Sequence, residues 1–67
     1  MKIGILGTGS VGQALGEGFA RLGYEVKMGS RDPGKKEVQD WAAKTKASAG
    51  TFEEAVRFGD LLVIATH

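Results

Sequence analysis

The sequence predicts an α/β fold built on a parallel sheet, and three observations indicate it. Apolar segments typical of buried strands alternate with segments of helical periodicity. The first strand, residues 2–6, runs into a glycine-rich turn that is followed directly by a helical segment. The last segment, residues 60–66, is apolar on both faces, which is typical of a central strand in a parallel sheet.

The first helix and second strand follow from apolar spacing. Residues 24–28 alternate apolar and polar side chains, as a strand does, and Gly23 ends the preceding helix. Gly16 and Gly18 lie inside that helix, where we expect a packing role, with Gly12 and Gly16 allowing close approach to the sheet. The helical apolar positions are Val11, Ala14, Leu15, Gly18, Phe19 and Leu22.

The second helix is predicted from Pro33 to Thr45. Asp32 precedes it, and Asp at the N-cap with Pro at the first helical position is a common helix start. We therefore expect Asp32 to cap the helix, with ribose binding or simple solvation as the alternatives. Trp41 is expected to anchor the helix on the sheet. The apolar face comprises Val38, Trp41, Ala42 and Thr45.

The remaining elements set the topology. Residues 46–50 predict a short third strand, and Thr51–Glu54 is a capping box that opens a third helix ended by Gly59. Alternating strands and helices imply right-handed crossovers and a parallel sheet. The expected strand order is 3-2-1-4, with the first two helices on one face and the third on the other.

The glycines of the first turn have the spacing and the context of a dinucleotide-binding motif. Gly7 permits a tight turn, Gly9 lets the backbone approach a pyrophosphate, and Gly12 lets the helix pack closely on the strand. Unpaired N–H groups and the helix dipole favour an anion there. Thr8 and Ser10 can add hydroxyl donors. A glycine turn needed only for packing is the alternative.

The end of the second strand predicts the choice between NAD and NADP. NAD-binding units carry an acid there that accepts hydrogen bonds from the ribose hydroxyls, whereas this strand ends in Gly29-Ser30-Arg31. Arg31 can pair with a 2′-phosphate or stack on adenine, and Ser30 can donate a hydroxyl. Lysines in the first turn of a helix are unfavourable because their positive charge lies at the positive end of the helix dipole. A bound phosphate would remove this electrostatic repulsion. A solvated basic face is the alternative. The expected positive patch comprises Lys27, Arg31, Lys35 and Lys36.

A complete dinucleotide-binding domain has two such halves and about six strands. Residues 1–67 therefore predict an incomplete Rossmann-like domain, the first half of a doubly wound NADP-binding fold. Its fourth strand would be an exposed apolar edge. We expect the chain to be a fragment of a longer protein. Pairing of two copies through this edge, giving a homo-oligomer, is the alternative.

Composition excludes several functional classes. Nine Lys and Arg against eight Asp and Glu give a net charge of +1, which does not favour nucleic acid or a membrane surface. The absence of cysteine removes disulfides, thiolate nucleophiles and zinc thiolate sites, and one histidine makes a His-based metal site implausible. No signal peptide or membrane span is indicated, so a cytoplasmic protein is expected.

Three segments resemble the deazaflavin-dependent NADP reductase family. That family belongs to the wider group with the pyrroline-5-carboxylate reductase and 6-phosphogluconate dehydrogenase type of NADP-binding domain. The resemblance covers essentially the whole chain but only the first third or so of a family member. The segments are Ile3–Gly12, Gly29–Arg31 and Asp60–His67.

The resemblance implies roles for individual residues. It implies that Thr8, Gly9, Ser10 and Val11 contact the diphosphate, and that Ser30, Arg31 and Lys35 hold the 2′-phosphate. Ala65, Thr66 and His67 would lie beside the nicotinamide. We assign no catalytic residue and no metal ligand. The expected cofactor-binding residues are Gly7, Thr8, Gly9, Ser10, Val11, Gly12, Ser30, Arg31, Lys35, Thr66 and His67.

The resemblance also implies hydride transfer between a deazaflavin and NADP, in which the protein mainly aligns the two rings. The expected partners are NADP(H) and a deazaflavin or another small-molecule hydride donor. The alternatives are a non-catalytic dinucleotide-sensing module, an NADP-dependent dehydrogenase of another substrate class, and a structural fragment without nucleotide. Three roles are considered for His67: catalysis, contact with the cofactor or substrate, and no defined role. We expect residues 1–67 alone to be inactive.

Overall fold

The computed structural model describes residues 1–7 and 9–65 and has the predicted architecture. All strand pairs are parallel, and the sheet order is β3-β2-β1-β4. The α/β fold class and the strand order predicted from the sequence are confirmed. The elements are β1 (Lys2–Leu6), α1 (Ser10–Arg21), β2 (Glu25–Gly29), α2 (Lys36–Thr45), β3 (Ser48–Gly50), α3 (Phe52–Phe58) and β4 (Leu61–Ile64).

The two faces of the sheet carry different layers. On one face, α1 and α2 cover a core that contains the fully buried side chains of Ile3, Ile5 and Met28. On the other face, α3 buries Ala55 so closely that its carbonyl oxygen would lie 2.3 Å from a Cβ at Gly4. This arrangement is the predicted one, with two helices on one face and the third on the other.

The buried face of α1 is formed mainly by glycines. The buried residues of the helix are Gly12 and Gly16, and Phe19 packs partly buried against the core. The helix predicted from this apolar spacing is confirmed, but most of the side chains that predicted it are exposed, because the helix backbone approaches the sheet along Gly12 and Gly16, here called the glycine stripe. The exposed positions are Val11, Ala14, Leu15, Gly18 and Leu22.

Trp41 occupies the space that the glycine stripe leaves open. A Cβ at Gly16 would lie 2.6 Å from Cζ2 of Trp41 and 3.1 Å from Cδ1 of Ile5. The indole Nε1 of Trp41 donates a hydrogen bond to the carbonyl oxygen of Gln13 at 3.2 Å, which joins α2 to α1. The predicted anchoring role of Trp41 and the packing role of Gly16 are therefore confirmed. The packing role expected for Gly18 is wrong, since no described atom beyond its chain neighbours and the adjoining backbone of its own helix lies within 4 Å of a Cβ there.

The capping box at the start of α3 is confirmed. The Thr51 amide donates to Oε1 of Glu54 at 2.8 Å, and the Glu54 amide donates to Oγ1 of Thr51 at 3.1 Å. These backbone and side-chain hydrogen bonds from Thr51 lower the pKa of the Glu54 carboxyl below its ordinary value. The bonds fix the point at which α3 begins, directly after β3.

β4 lies at the edge of the described sheet and pairs with β1 alone among the described strands. Leu61, Leu62 and Ile64 are exposed in spite of their apolar character. The strand is therefore an exposed apolar edge, as predicted, although its composition is typical of a central strand. Among the residues described, no helix combines the length and apolar character that a membrane crossing requires.

The glycine stripe of α1 generates a paired prediction for stability. Gly16→Ala should destabilise the fold by about 1–3 kcal/mol, because the new methyl group overlaps the Trp41 ring. Gly18→Ala should instead stabilise it by up to about 1 kcal/mol, because alanine is the better helix former and the space is open. Urea unfolding followed by Trp41 fluorescence measures both. Equal effects of the two substitutions would contradict the close packing of α1 on Trp41.

Candidate functional site

The turn after β1 has the geometry expected of the first motif glycine. Gly7 has a φ of 121°, and a Cβ there would lie 2.5 Å from the carbonyl oxygen of Ala65. Its amide donates to the carbonyl oxygen of Gly29 at 3.2 Å, which ties the end of β1 to the end of β2. A Cβ at Gly12 would lie 2.6 Å from the Gly7 carbonyl oxygen. The tight turn at Gly7 and the close packing at Gly12 are confirmed.

The start of α1 presents backbone donors. Gly9 is the N-cap residue with extended backbone, φ −67° and ψ 173°, and it provides no capping side chain. The first bond of the helical ladder runs from the Gln13 amide to the Gly9 carbonyl oxygen at 3.0 Å. The amides of residues 10–12 precede that bond and cannot pair within the helix. Ser10 and Val11 are exposed beside them, while Thr8 lies outside the described residues.

Ser30 is a buried polar residue at the end of β2. Its amide donates to the carbonyl oxygen of Gly50 at 2.9 Å, so its backbone extends the pairing of β2 with β3. Its Oγ accepts a hydrogen bond from the Asp32 amide at 3.1 Å. Since that bond uses an oxygen lone pair, the hydroxyl proton of Ser30 can still be donated to a ligand.

A β-turn at residues 32–35 replaces the predicted helix cap. The Lys35 amide donates to the Asp32 carbonyl oxygen at 3.1 Å, with Pro33 and Gly34 at the two central positions. The N-cap of α2 is Lys35, without a side-chain cap, so the predicted start at Pro33 and capping by Asp32 are wrong. Pro followed by Gly is favoured at the centre of a turn, and here that preference overrides helix initiation.

The turn brings the predicted 2′-phosphate residues together. A cavity of about 280 Å³ lies beside the Gly7 turn, between the end of β2 and the start of α3. Arg31 and Lys35 contribute two cations and Asp32 one carboxylate, so the lining has a net positive charge. The lining residues are Gly7, Ser30, Arg31, Asp32, Lys35 and Phe52.

Two lysines of the predicted positive patch do not line this cavity. The Nζ of Lys27 lies 5.6 Å from the centroid of the Phe58 ring, a cation–π contact near the opposite end of α3. Lys36, the first residue of α2, is exposed outside the lining. The prediction of a four-residue positive patch is therefore wrong for Lys27 and Lys36. It was predicted from proximity in sequence, whereas alternation along β2 directs Lys27 toward α3.

The charges in the cavity are exposed and weakly paired. The Nζ of Lys35 lies 4.0 Å from a carboxylate oxygen of Glu37, and both side chains are mostly in solvent. Such a pair contributes at most about 1 kcal/mol. An incoming dianion can therefore compete with Glu37 for Lys35 at little energetic cost.

Phe52 lines the candidate site and was missed by the sequence analysis. It lines the cationic cavity and also a neighbouring cavity of about 300 Å³ formed by Leu6, Gly7, Phe52 and Ile64. The one available signal was its position, an aromatic residue at the first turn of a helix directly after a strand. Thr66 and His67 lie outside the described residues, and the described chain ends with Ala65, whose amide donates to the Leu6 carbonyl oxygen at 2.9 Å.

A larger cavity of about 360 Å³ lies elsewhere, between the C-terminal ends of α1 and α2. Arg21 and Glu17 line it and form a salt bridge of 2.9 Å with each other. Ligands of open α/β sheets bind at the carboxyl ends of the strands, and this cavity lies at the other end. The candidate site is therefore the smaller cavity beside Gly7.

The glycine turn and the cation-lined strand end agree with the family comparison. The sequence profile of the family described as "NADP oxidoreductase coenzyme F420-dependent" matches residues 2–67. The chain belongs to this family. Its resemblance to deazaflavin-dependent NADP reductases, inferred above from sequence motifs, is thereby confirmed. No curated protein gives a significant match.

A solved structure supports the same assignment. A crystal structure from Arthrobacter sp. FB24, provisionally assigned as an F420-dependent NADP-reductase, superimposes with a TM-score of 0.87 at 33% sequence identity. The match covers 100% of this chain and 33% of that one. The chain thus spans a third of the length of this relative of the F420-dependent family.

The corrected start of α2 generates a prediction. Asp32→Ala should change the free energy of unfolding by less than about 0.5 kcal/mol, because no helix cap is lost. Thr51→Ala should destabilise the fold by about 1 kcal/mol, because it removes a cap. Urea unfolding of both variants measures the difference. A larger loss from Asp32→Ala than from Thr51→Ala would restore the capping role of Asp32.

Proposed function

We propose that this chain binds NADP as the nucleotide-binding part of an oxidoreductase that transfers hydride between a deazaflavin and NADP. The observation that carries the proposal is the cationic cavity beside the Gly7 turn, where Arg31 and Lys35 meet the buried Ser30. Family membership supports the same reaction class. The alternative of a non-catalytic nucleotide-binding module would use the same cavity.

The donors present fit the phosphates of NADP. The amides of residues 10–12 at the start of α1 suit the diphosphate, because they point out of the helix with the positive end of its dipole. The guanidinium of Arg31 and the ammonium of Lys35 suit a 2′-phosphate dianion, to which the Ser30 hydroxyl adds a neutral donor. NADP, when bound, supplies or accepts the hydride through its nicotinamide ring.

Asp32 fits this assignment better than a role as a ribose acid. Its amide is held by Oγ of Ser30, and its Oδ1 lies 3.7 Å from a Cβ position at Gly34, over the turn. The carboxylate thus lies on the turn side of the cavity, three residues beyond the end of β2. Ser30 occupies the strand end, where an NAD-binding unit places its acid.

Several finer assignments belong to the same proposal. We propose that residues 1–67 form part of an NADP-binding Rossmann domain, with Thr8, Thr66 and His67 as further cofactor contacts. Reduced deazaflavin is the proposed second substrate, on the basis of the family alone. A cytoplasmic location stays a prediction.

The cationic cavity predicts selectivity for NADP over NAD. Arg31→Ala should weaken NADP binding by about 10- to 100-fold and leave NAD binding nearly unchanged, because a charge-assisted bond to the 2′-phosphate is lost. Isothermal titration of the chain with both nucleotides measures the two affinities. Lys36→Ala is the matched control, since it removes a nearby cation that does not line the cavity. Equal affinity of the unmodified chain for both nucleotides would refute the selectivity.

The exposed edge of β4 supports a second proposal, the pairing of two copies of this chain. Leu61, Leu62 and Ile64 are exposed on that strand, which carries no charged or proline residue to discourage pairing. We expect the average mass in sedimentation equilibrium to rise with concentration. Leu61→Lys should return the chain to a monomer. A stable monomer at high concentration would exclude the pairing.

A further inference from the structure

Gln39 of α2 reaches back to the turn that carries the cationic residues. Its Nε2 donates a hydrogen bond to the carbonyl oxygen of Pro33, one of the two central residues of the turn at residues 32–35. The Gln39 amide also donates to the Lys35 carbonyl oxygen at 3.0 Å, where the hydrogen-bond ladder of α2 begins. A single residue of the helix therefore holds both the middle of the turn and its last residue.

The remaining hydrogen bonds of this segment do not join the middle of the turn to a helix. The Asp32 amide donates to Oγ of Ser30, and the Lys35 amide donates to the Asp32 carbonyl oxygen, each at 3.1 Å. Both bonds lie within residues 30–35. In the described part of the chain, the Gln39 side chain thus provides the link between the centre of the turn and α2.

The position of this turn decides where the two cations begin. The side chains of Arg31 and Lys35 are exposed, so what the fold fixes is the backbone from which they extend. Ser30, in contrast, is buried and its amide is bonded to Gly50 of β3. A turn that shifts relative to the sheet would move both cations away from the Ser30 hydroxyl. Holding it in place lowers the entropy that is lost when one phosphate engages all three residues.

We propose that Gln39 is a positioning residue for the 2′-phosphate of NADP, acting through its hydrogen bond to the Pro33 carbonyl oxygen. The inference rests on the proposed NADP binding and adds a residue to which that proposal gives no role. Gln39 does not line the cationic cavity, so it acts on the ligand through the turn and not by contact. The diphosphate is assigned to the start of α1, which this bond does not touch. The effect therefore falls on NADP and spares NAD.

Gln39→Met tests the proposal, because methionine keeps the length of the side chain and its helix propensity but removes the donor. It should weaken NADP binding by about 2- to 10-fold, the range for one lost hydrogen bond, and leave NAD binding unchanged. Isothermal titration with both nucleotides measures the two affinities. Urea unfolding followed by Trp41 fluorescence verifies that the variant is folded.

Lys44→Met is the matched control, because it makes the same replacement at another exposed side chain of α2. Lys44 lies about 12 Å along the helix from its first residue, beyond the screening length of about 8 Å at physiological ionic strength. The substitution should change neither affinity by more than about twofold.

Two further measurements test the mechanism. In the free chain, Gln39→Met should accelerate hydrogen exchange of the Lys35 amide, whose bond to Asp32 closes the turn. In a chain that already carries Arg31→Ala, Gln39→Met should weaken NADP binding by a smaller factor than in the unmodified chain, because one of the cations that it positions is gone.

The outcomes separate this inference from the proposed function. If the unmodified chain binds neither nucleotide, or binds both equally, NADP selectivity and the role of Gln39 are overturned together. If the unmodified chain prefers NADP and Gln39→Met leaves that preference or the Lys35 exchange rate unchanged, the role of Gln39 alone is overturned. Equal weakening of NADP and NAD also overturns it, because that result assigns Gln39 to the general stability of the fold.

Discussion

The backbone turn at Gly7 is the constraint on which the sheet and the candidate site both depend. Its positive φ excludes most side chains, and the Ala65 carbonyl oxygen occupies the space of a Cβ. The hydrogen bond from its amide to Gly29 brings the end of β2 level with the end of β1. Because Gly7 also lines the cationic cavity, the turn that aligns the ends of β1 and β2 forms part of the candidate site.

Much of the fold could be predicted from the sequence, because strands and crossovers leave local signals. The parallel order of four strands followed from apolar segments and from the handedness of their connections. The buried face of α1 could not be predicted from apolar spacing, since its burial depends on the absence of side chains at Gly12 and Gly16. The close packing of Gly16 is explained only by the position of Trp41 on α2, whose ring fills the space beside that glycine.

The candidate site shows the same division between local and distant signals. The sequence could predict that Ser30 and Arg31 lie together because both follow directly after β2. Lys35 lies near them because a single β-turn at residues 32–35 connects it to the end of the strand. Asp32 was misassigned because Asp-Pro is compatible with a helix cap and with a β-turn, and the outcome depends on Gly34. The position of Phe52 in the cavity could not be predicted from neighbouring residues. It lies in the same cavity as Gly7 only because the chain crosses from β3 through α3 to the far side of β1.

The residues of the proposed nucleotide site differ in how firmly the fold holds them. The Gly7 turn and Ser30 are fixed by backbone hydrogen bonds, and Phe52 by the cap of α3. Arg31 and Lys35 are exposed, so their attraction for a phosphate is screened within about 8 Å at physiological ionic strength. In the proposed complex, the position and orientation of the nucleotide would therefore depend on the backbone, whereas discrimination between NADP and NAD would depend on exposed charges. Added salt should therefore weaken the proposed discrimination, because it screens the exposed charges of Arg31 and Lys35.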